Sequence, residues 1–445
     1  MKWWKKLCAA ALALSMPVLA SAEAKLVDTQ TFARSITLGR ASDTYVTRED
    51  WRDTLRAMDG TALSESYADI SAQEKGLYYE VANENGVNQT GLMDAAGTLL
   101  IPMAYSDFTY VGNGWVVAVT LEETTDEKSD YRAMFGGGHY NVVRGDIYYG
   151  AQKMVEMNRE ETTGASMEVY GAYLFVRLDK SSGFYLKTDG TRTEFTGESF
   201  SRGEYEEIYK QGVYHHPTAQ FAFVPECTLT ADEVSRSVWY DAKTGNFLDL
   251  QGNVLREAVQ DGKPLYGSVR YYGGDYMLTK KDRLSGIVDM TGQEIVPPMY
   301  DTLGGDYAGL LFEGGYQAAL ESGKLRFLTR DGQVSASVDY ELKENDWKGL
   351  TNNAPMIYAE MNGKISVFTA TRGELPTQYE EAARGQAGQE LLAVKQDGLW
   401  GCIGMDGEVV VPFVMKYAPE ISFDGRYVVG STAEGYQLFT ISYGE

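Results

Sequence analysis

The chain has 445 residues, 40 Lys and Arg against 63 Asp and Glu, and a formal net charge of −23. An apolar content of 44% with 12% aromatics is ample for a folded core and excludes wholesale disorder. The acidic surplus repels phosphate backbones, so nucleic acid and anionic membrane surfaces are poor partners.

The first residues read as an export signal. Lys2, Lys5 and Lys6 precede an apolar stretch from Leu7 to Leu14, and Ala20-Ser21-Ala22 supplies a small-x-small cleavage pattern. The mature chain is expected to start at Glu23, with residues 1–22 as signal peptide, and to be secreted or extracytoplasmic. The apolar stretch is too short to span roughly 30 Å of hydrocarbon, so no membrane insertion is expected after its removal. Loss of the three lysines leaves 37 basic against 63 acidic residues, a formal net of −26. Cys8 leaves with the signal; Cys227 and Cys402 remain, and their spacing leaves a disulfide between them open.

Residues 23–50 read as a lead-in that is irregular, helical or a closing strand. A short helix is expected near the N-terminus over Arg48 to Met58, with Thr47 as N-cap, Asp50 three positions on, and Trp51 and Leu55 on one face.

From residue 51 to 445 a pattern of about forty residues recurs. Its turn glycines are Gly60, Gly97, Gly190, Gly252, Gly292, Gly332, Gly373 and Gly407. A tyrosine followed by an acid runs in phase: Tyr67, Tyr105, Tyr205, Tyr300 and Tyr379, with looser matches at Tyr340 and Tyr417. Two markers sharing one period establish a tandem repeat. The last copy illustrates its content. Glu390 to Lys395 is strand-like, Gln396-Asp397-Gly398 is a hairpin turn, Leu399 to Gly404 is a second strand, Met405-Asp406-Gly407 a second turn, and Glu408 to Val411 a third strand stopped by Pro412. Longer intervals mark insertions near 121–165 and 212–236. Leu121 to Asp130 reads as an exposed loop, Asn141 to Tyr149 and Gln152 to Met157 as strands, and His215 to Arg236 as a loop excursion.

Leu399-Trp400-Gly401 with Met405-Asp406-Gly407 and Val411-Pro412 resembles the WG-repeat family of bacterial β-rich repeats. Thr90-Gly91 and Ser285-Gly286 stand where Trp400-Gly401 keeps the eponymous pair, and the copies near Gly190 and Gly332 are eroded. The resemblance implies repeated β-units used as a binding or structural surface and carries no enzymatic role. A lone three- or four-stranded sheet cannot bury both faces, so neighbouring units must cover one another. The expected fold is all-β, a β-propeller-like ring, with an open solenoid-like array as the alternative.

Chemistry-bearing residues are sparse. His139, His215 and His216 lack chelating spacing, and adjacent strand residues point to opposite faces, so no metal or other cofactor is expected. Asp94, Asp249 and Asp289 each precede a turn glycine by three residues, where a carboxylate bonds local backbone donors. No catalytic residue is assigned. The in-phase tyrosines read as core. Within Tyr78-Tyr79, Tyr148-Tyr149 and Tyr271-Tyr272 one ring of each pair should face outward, where it could stack on a sugar or grip a peptide. The expectation is a secreted, non-enzymatic binding or scaffold protein whose ligand is a protein or a cell-surface glycan. An extracytoplasmic glycoside hydrolase with axial carboxylates is the alternative, and a purely structural spacer the third reading.

Overall fold

A computed structural model describes residues 24–443 apart from 39–42, 74–77, 84–85, 127–128, 133–137, 171–172, 179–181, 197–212, 216–237, 250–252, 272–274, 304–310, 342–354, 384–388 and 423. Among the described residues the chain is all-β, folded into successive antiparallel sheets, most of four strands taken in sequence order. The first sheet comprises Ile36–Leu38, Thr44–Glu49, Arg52–Ala57 and Ala62–Tyr67; the second Asp69–Gln73, Tyr78–Ala82, Thr90–Asp94 and Leu99–Tyr105. The third is larger, with Asp107–Gly112, Trp115–Thr124, His139–Tyr149 and Gln152–Asn158 plus the short Tyr131–Arg132. Leaving aside the two-stranded hairpin Val259–Gln260/Lys263–Pro264, further sheets are drawn from strands within 166–196, 213–257, 268–300, 302–337, 356–379 and 381–415, and Glu420–Ile421, Tyr427–Ser431 and Tyr436–Tyr443 belong to the tenth. These are four-stranded meanders of the kind that make propeller blades.

The chain divides into two compact units. One runs from Phe32 to Ser201, and the other contains residues up to Thr31 and those from Arg202 onward. Within each unit, consecutive sheets bury facing sides against each other. Val46, Leu55 and Tyr67 of the first sheet meet Tyr79, Val81 and Met93 of the second. Leu92, Ile101 and Tyr105 then meet Phe108, Val116, Ala118 and Tyr148 of the third. In the other unit, Ile287, Val296 and Tyr300 pack on Leu303, Ala319 and Leu328.

One feature of the repeat explains its signature. The outer strand bulges, so that two extra residues sit between the pairs Ile287↔Val296 and Ser285↔Tyr300, and likewise between Leu92↔Ile101 and Thr90↔Tyr105. Pro297, Pro102 and Pro412 occupy this bulge on terminal strands, where a missing N–H breaks no ladder bond. The bulged backbone folds in against the glycine of the pair. A Cβ on Gly286 would lie 2.6 Å from the Val296 oxygen and 2.7 Å from the Pro298 nitrogen. On Gly91 and Gly401 the nearest carbonyls, of Ile101 and Val411, would lie at 2.8 and 2.7 Å. That glycine is therefore needed for close approach, not for an unusual φ. Where Thr54 and Ser366 replace it, their hydroxyls bond the outer strand through Ser66 Oγ at 2.8 Å and Gln378 Nε2 at 3.0 Å.

Three expectations are corrected. Arg48 to Met58 is no helix. Thr44–Glu49 and Arg52–Ala57 are paired strands joined by Asp50 and Trp51 at φ 48° and 64°, a two-residue hairpin turn. Asp53 and Leu55 alternate inward, and burial of Leu55 against the second sheet outweighs the local preference of an isolated helix this short. The repeat accordingly begins before residue 51, since the first sheet starts at Ile36. Second, Leu121 to Thr124 are not loop but the end of the strand Trp115–Thr124, with Leu121 2% exposed. The Asn88 side chain makes this possible. Its Oδ1 accepts from Leu121 N–H at 3.0 Å and its Nδ2 donates to Leu121 C=O at 2.9 Å, replacing a neighbouring strand at a bulge. Third, a six-residue helix, Arg159–Gly164, lies in the 121–165 insertion, started by an Asn158/Glu161 capping box. The 212–236 insertion lies almost wholly outside the described residues.

The lead-in does supply a closing strand: Ala24–Phe32 adds to Tyr436–Tyr443 as the outer strand of the tenth sheet.

Candidate functional site

Two-residue turns with positive φ at both positions close hairpins in five sheets, Asp50-Trp51, Asp282-Arg283, Ser322-Gly323 and Asp397-Gly398 between second and third strands and Asn362-Gly363 between the first two strands of the three-stranded sheet. The second position favours glycine, which three of them carry. Trp51 holds a left-handed conformation there with 87% of its surface exposed. Such a conformation costs a side-chain-bearing residue about 1–2 kcal/mol. Arg34 donates to Asp50 Oδ1 at 3.2 Å beside it, and Arg52 Nε reaches the Ser66 carbonyl at 3.1 Å. The residues flanking Trp51 thus each engage or carry an anchored guanidinium group, Asp50 through Arg34 and Arg52 through Ser66.

The second aromatic group lies on the second and third sheets of the same unit. Tyr78 and Tyr110 are half-buried and stacked at 6.2 Å, and the Tyr110 hydroxyl donates to Glu80 Oε1 at 2.9 Å. Burial raises the Glu80 carboxyl above its ordinary value, against the lowering effect of that bond. Trp115 and Tyr149 meet at 5.0 Å, and Tyr149 and Tyr78 both approach the Gly114 turn. Tyr79 and Tyr148 are buried while Tyr78 and Tyr149 are half-buried, so in both pairs one ring sits nearer solvent. Tyr272 lies outside the described residues, as does the side chain of Tyr271.

Buried carboxylates are tied to cations. Asp53 is held by Arg48 in two bonds of 2.7 Å, and Arg48 also reaches Asp69 at 3.2 Å. Asp146, fully buried, accepts from Tyr105 Oη at 2.6 Å and pairs with Lys153 at 2.9 Å. Burial and the bond to Asp146 push the Tyr105 hydroxyl far above its usual value. These pairs fix sheet packing, with each acid neutralised by its neighbour. No cluster of three or more metal-ligating side chains occurs among the described residues.

The repeat residues fall as follows. Gly60, Gly97, Gly190, Gly292, Gly332, Gly373 and Gly407 all have φ between 73° and 89°; Gly252 lies outside the described residues. Asp94 Oδ1 accepts from the amides of Ala96 and Thr98, Asp289 Oδ1 from those of Thr291 and Gln293, and Asp249 Oδ1 from that of Asn253. Tyr67, Tyr105, Tyr300 and Tyr379 are buried where one sheet ends, each opposite the residue preceding the bulge-facing position. Tyr205 is outside the described residues. Tyr340 and Tyr417, at 38% and 72% exposure, are out of register by two. Val338 and Met415 hold the buried position instead, because the Trp400↔Met415 pair and the Val338 N–H to Leu325 bond occupy it. His139 Nδ1 lies 3.0 Å from Ser129 Oγ; His216, Cys227 and the His215 side chain lie outside the described residues. Cys402 is buried, and burial pushes its thiol up to about 12. Trp51, expected on one face of a helix, instead stands at the tip of a hairpin turn.

Comparison with known proteins adds family and fold context. No curated protein matches the sequence. Solved structures similar over most of the chain include BamB from Moraxella catarrhalis, at 10% identity over 94% of this chain and 98% of that one, TM-score 0.30. The C-terminal WD40 domain of Sif2 matches at 10% identity over 95% and 99%, TM-score 0.26. A eukaryotic initiation factor matches at 10% over 83% and 95%, TM-score 0.39. Likenesses this distant carry no functional argument. Residues 286–312, from the bulge-facing Gly286 to the start of the next sheet, match the family described as WG containing repeat. The chain is thus a β-repeat protein in which residues 286–312 are similar to the WG containing repeat.

Proposed function

We propose that the protein is a secreted, non-enzymatic binding scaffold that engages a cell-surface glycan or an extracytoplasmic protein through the Trp51 tip of its first sheet. The observation that carries this reading is strain kept at an exposed aromatic residue. Three of the four equivalent turns use glycine and the fourth a flexible arginine, and a tryptophan there gains almost no burial to offset its backbone conformation. Exposed Trp beside Arg is the pairing enriched at binding hot spots, and an indole face also stacks on sugar rings. Half-buried Tyr78 and Tyr149 offer secondary contacts of the same kind. Export follows from the basic, apolar and Ala20-Ser21-Ala22 sequence of residues 1–22.

The test has two arms. N-terminal sequencing of protein recovered outside the cytoplasm should begin at Glu23. Arrays of glycans, peptidoglycan fragments and surface proteins should return a ligand whose retention falls at least tenfold in Trp51→Gly. Uniformly blank arrays together with turnover of a glycoside substrate would replace this reading with the hydrolase.

A further inference from the structure

The tenth sheet is completed by a strand from the opposite end of the chain. Ala24–Phe32 lies beside Tyr436–Tyr443, with Gln437 Nε2 donating to Thr31 Oγ1 at 3.3 Å. Of its nine side chains only Ala24 is buried, and Val27 is 59% exposed. Ala24 and Leu26 touch the core built by Val428, Phe439 and Ile441. Main-chain pairing, rather than side-chain burial, therefore supplies most of what holds this strand.

Its other end is anchored differently. Phe32 packs edge-on against Tyr45 of the first sheet at 5.4 Å, and residues 33–35 then lead directly into Ile36–Leu38. The strand is an arm held at one end by Phe32 against Tyr45 and at the other by Ala24 and Leu26, with a largely exposed middle. When the arm leaves, the eight-residue strand Tyr436–Tyr443 presents unpaired N–H and C=O groups, a template for a new strand. The occupant matching its small-then-aliphatic Ala24/Leu26 contact and its Thr31–Gln437 bond is the same arm from another copy.

We propose that residues 24–31 exchange between copies of the chain, each arm completing the tenth sheet of a partner and yielding dimers or short chains. Every contact in the exchanged state is one already made within a single chain, so the balance is set by concentration against the intramolecular arm. Short hinges such as residues 33–35 favour this outcome.

The test uses the full mature chain in a Cys227→Ser background, with Thr31→Cys and Gln437→Cys added to lock the arm in place. Isotope-labelled and unlabelled populations are mixed at high concentration, warmed to just below the melting transition, cooled, and examined by native mass spectrometry. Mixed oligomers are expected in the reduced sample, and at least tenfold fewer in the oxidised one. A synthetic peptide Ala-Lys-Leu-Val-Asp-Thr-Gln-Thr-Phe in excess should suppress them in the chain without added cysteines, whereas a scrambled peptide should not. Equal mixing in oxidised and reduced samples, or no mixing at any concentration, would overturn the proposal. Equal suppression by the scrambled peptide would show an edge open to any extended strand and would overturn the self-specific occupant.

Discussion

Replacing Gly286 by alanine tests the account of the repeat signature most directly. The glycine backbone there is ordinary strand, so a side chain meets no conformational penalty, and relief of glycine's own flexibility returns about 0.5–1 kcal/mol. Space is the obstacle. The new Cβ would sit 2.6 Å from the Val296 oxygen, 2.7 Å from the Pro298 nitrogen and 2.9 Å from the Pro297 carbonyl carbon. All three are backbone atoms, so no side-chain rotation relieves the contact and the bulge must retreat by several tenths of an ångström. Overpacking of this kind costs about 1–3 kcal/mol. The net expectation is a loss of roughly 1–2 kcal/mol, seen as about 5–30-fold faster hydrogen exchange across 284–300. Gly398→Ala is the control: φ is 78° and nothing lies within 4 Å, so its cost of about 1–2 kcal/mol is purely conformational. Asparagine, which tolerates the left-handed region, should therefore rescue position 398 but not position 286. If Gly286→Ala exchanges like the unaltered chain, or if asparagine is accepted there, the close-approach argument fails.

Trp51→Gly should raise the melting temperature slightly, because relief of about 1–2 kcal/mol of left-handed strain exceeds the added flexibility of glycine, about 0.5–1 kcal/mol. A lower melting temperature would mean the indole is a packing residue. Glu80→Gln should stabilise the fold at neutral pH. Burial raises the folded Glu80 pKa above its unfolded value of about 4.3, so its favourable contribution is complete only below that value and is lost as pH rises through the folded pKa. The gain measured by urea unfolding should shrink to nothing near pH 4; a pH-independent gain would contradict it. Asn88→Ala removes both partners of the Leu121 backbone and should cost about 2–3 kcal/mol, with the Leu121 amide losing its exchange protection. Cys402, with its thiol at about 12, should resist iodoacetamide at pH 8 until denaturant is added, as read by peptide mass mapping; labelling of the folded protein would place it near the surface.

Much of the candidate site was hidden for one reason. In residues 47–58 the same letters satisfy a weak helical capping box and a hairpin, and only pairing with Ile36–Leu38 and Ala62–Tyr67 selects the hairpin. Trp51 changes meaning with that choice, from one side of a helix to the tip of a turn. Tyr340 and Tyr417 show the converse: the Tyr-acid spacing is right to within two residues, but that shift keeps the face and carries the ring past the end of its strand, Val334–Ser337 or Val409–Met415, so Val338 and Met415 take the buried position.

By itself the sequence determined the period, the β class, the turn glycines and the carboxylates that brace those turns, since all of these arise from contacts within a few residues. It also determined that a lone unit could not stand, because a single three- or four-stranded sheet cannot bury both of its faces. Tertiary structure decided that Asp146 is buried against Tyr105, that Asn88 stands in for a strand at Leu121, and that Ala24–Phe32 completes a sheet some four hundred positions away. Those outcomes depend on which surfaces meet across sheets, and local spacing holds no record of them.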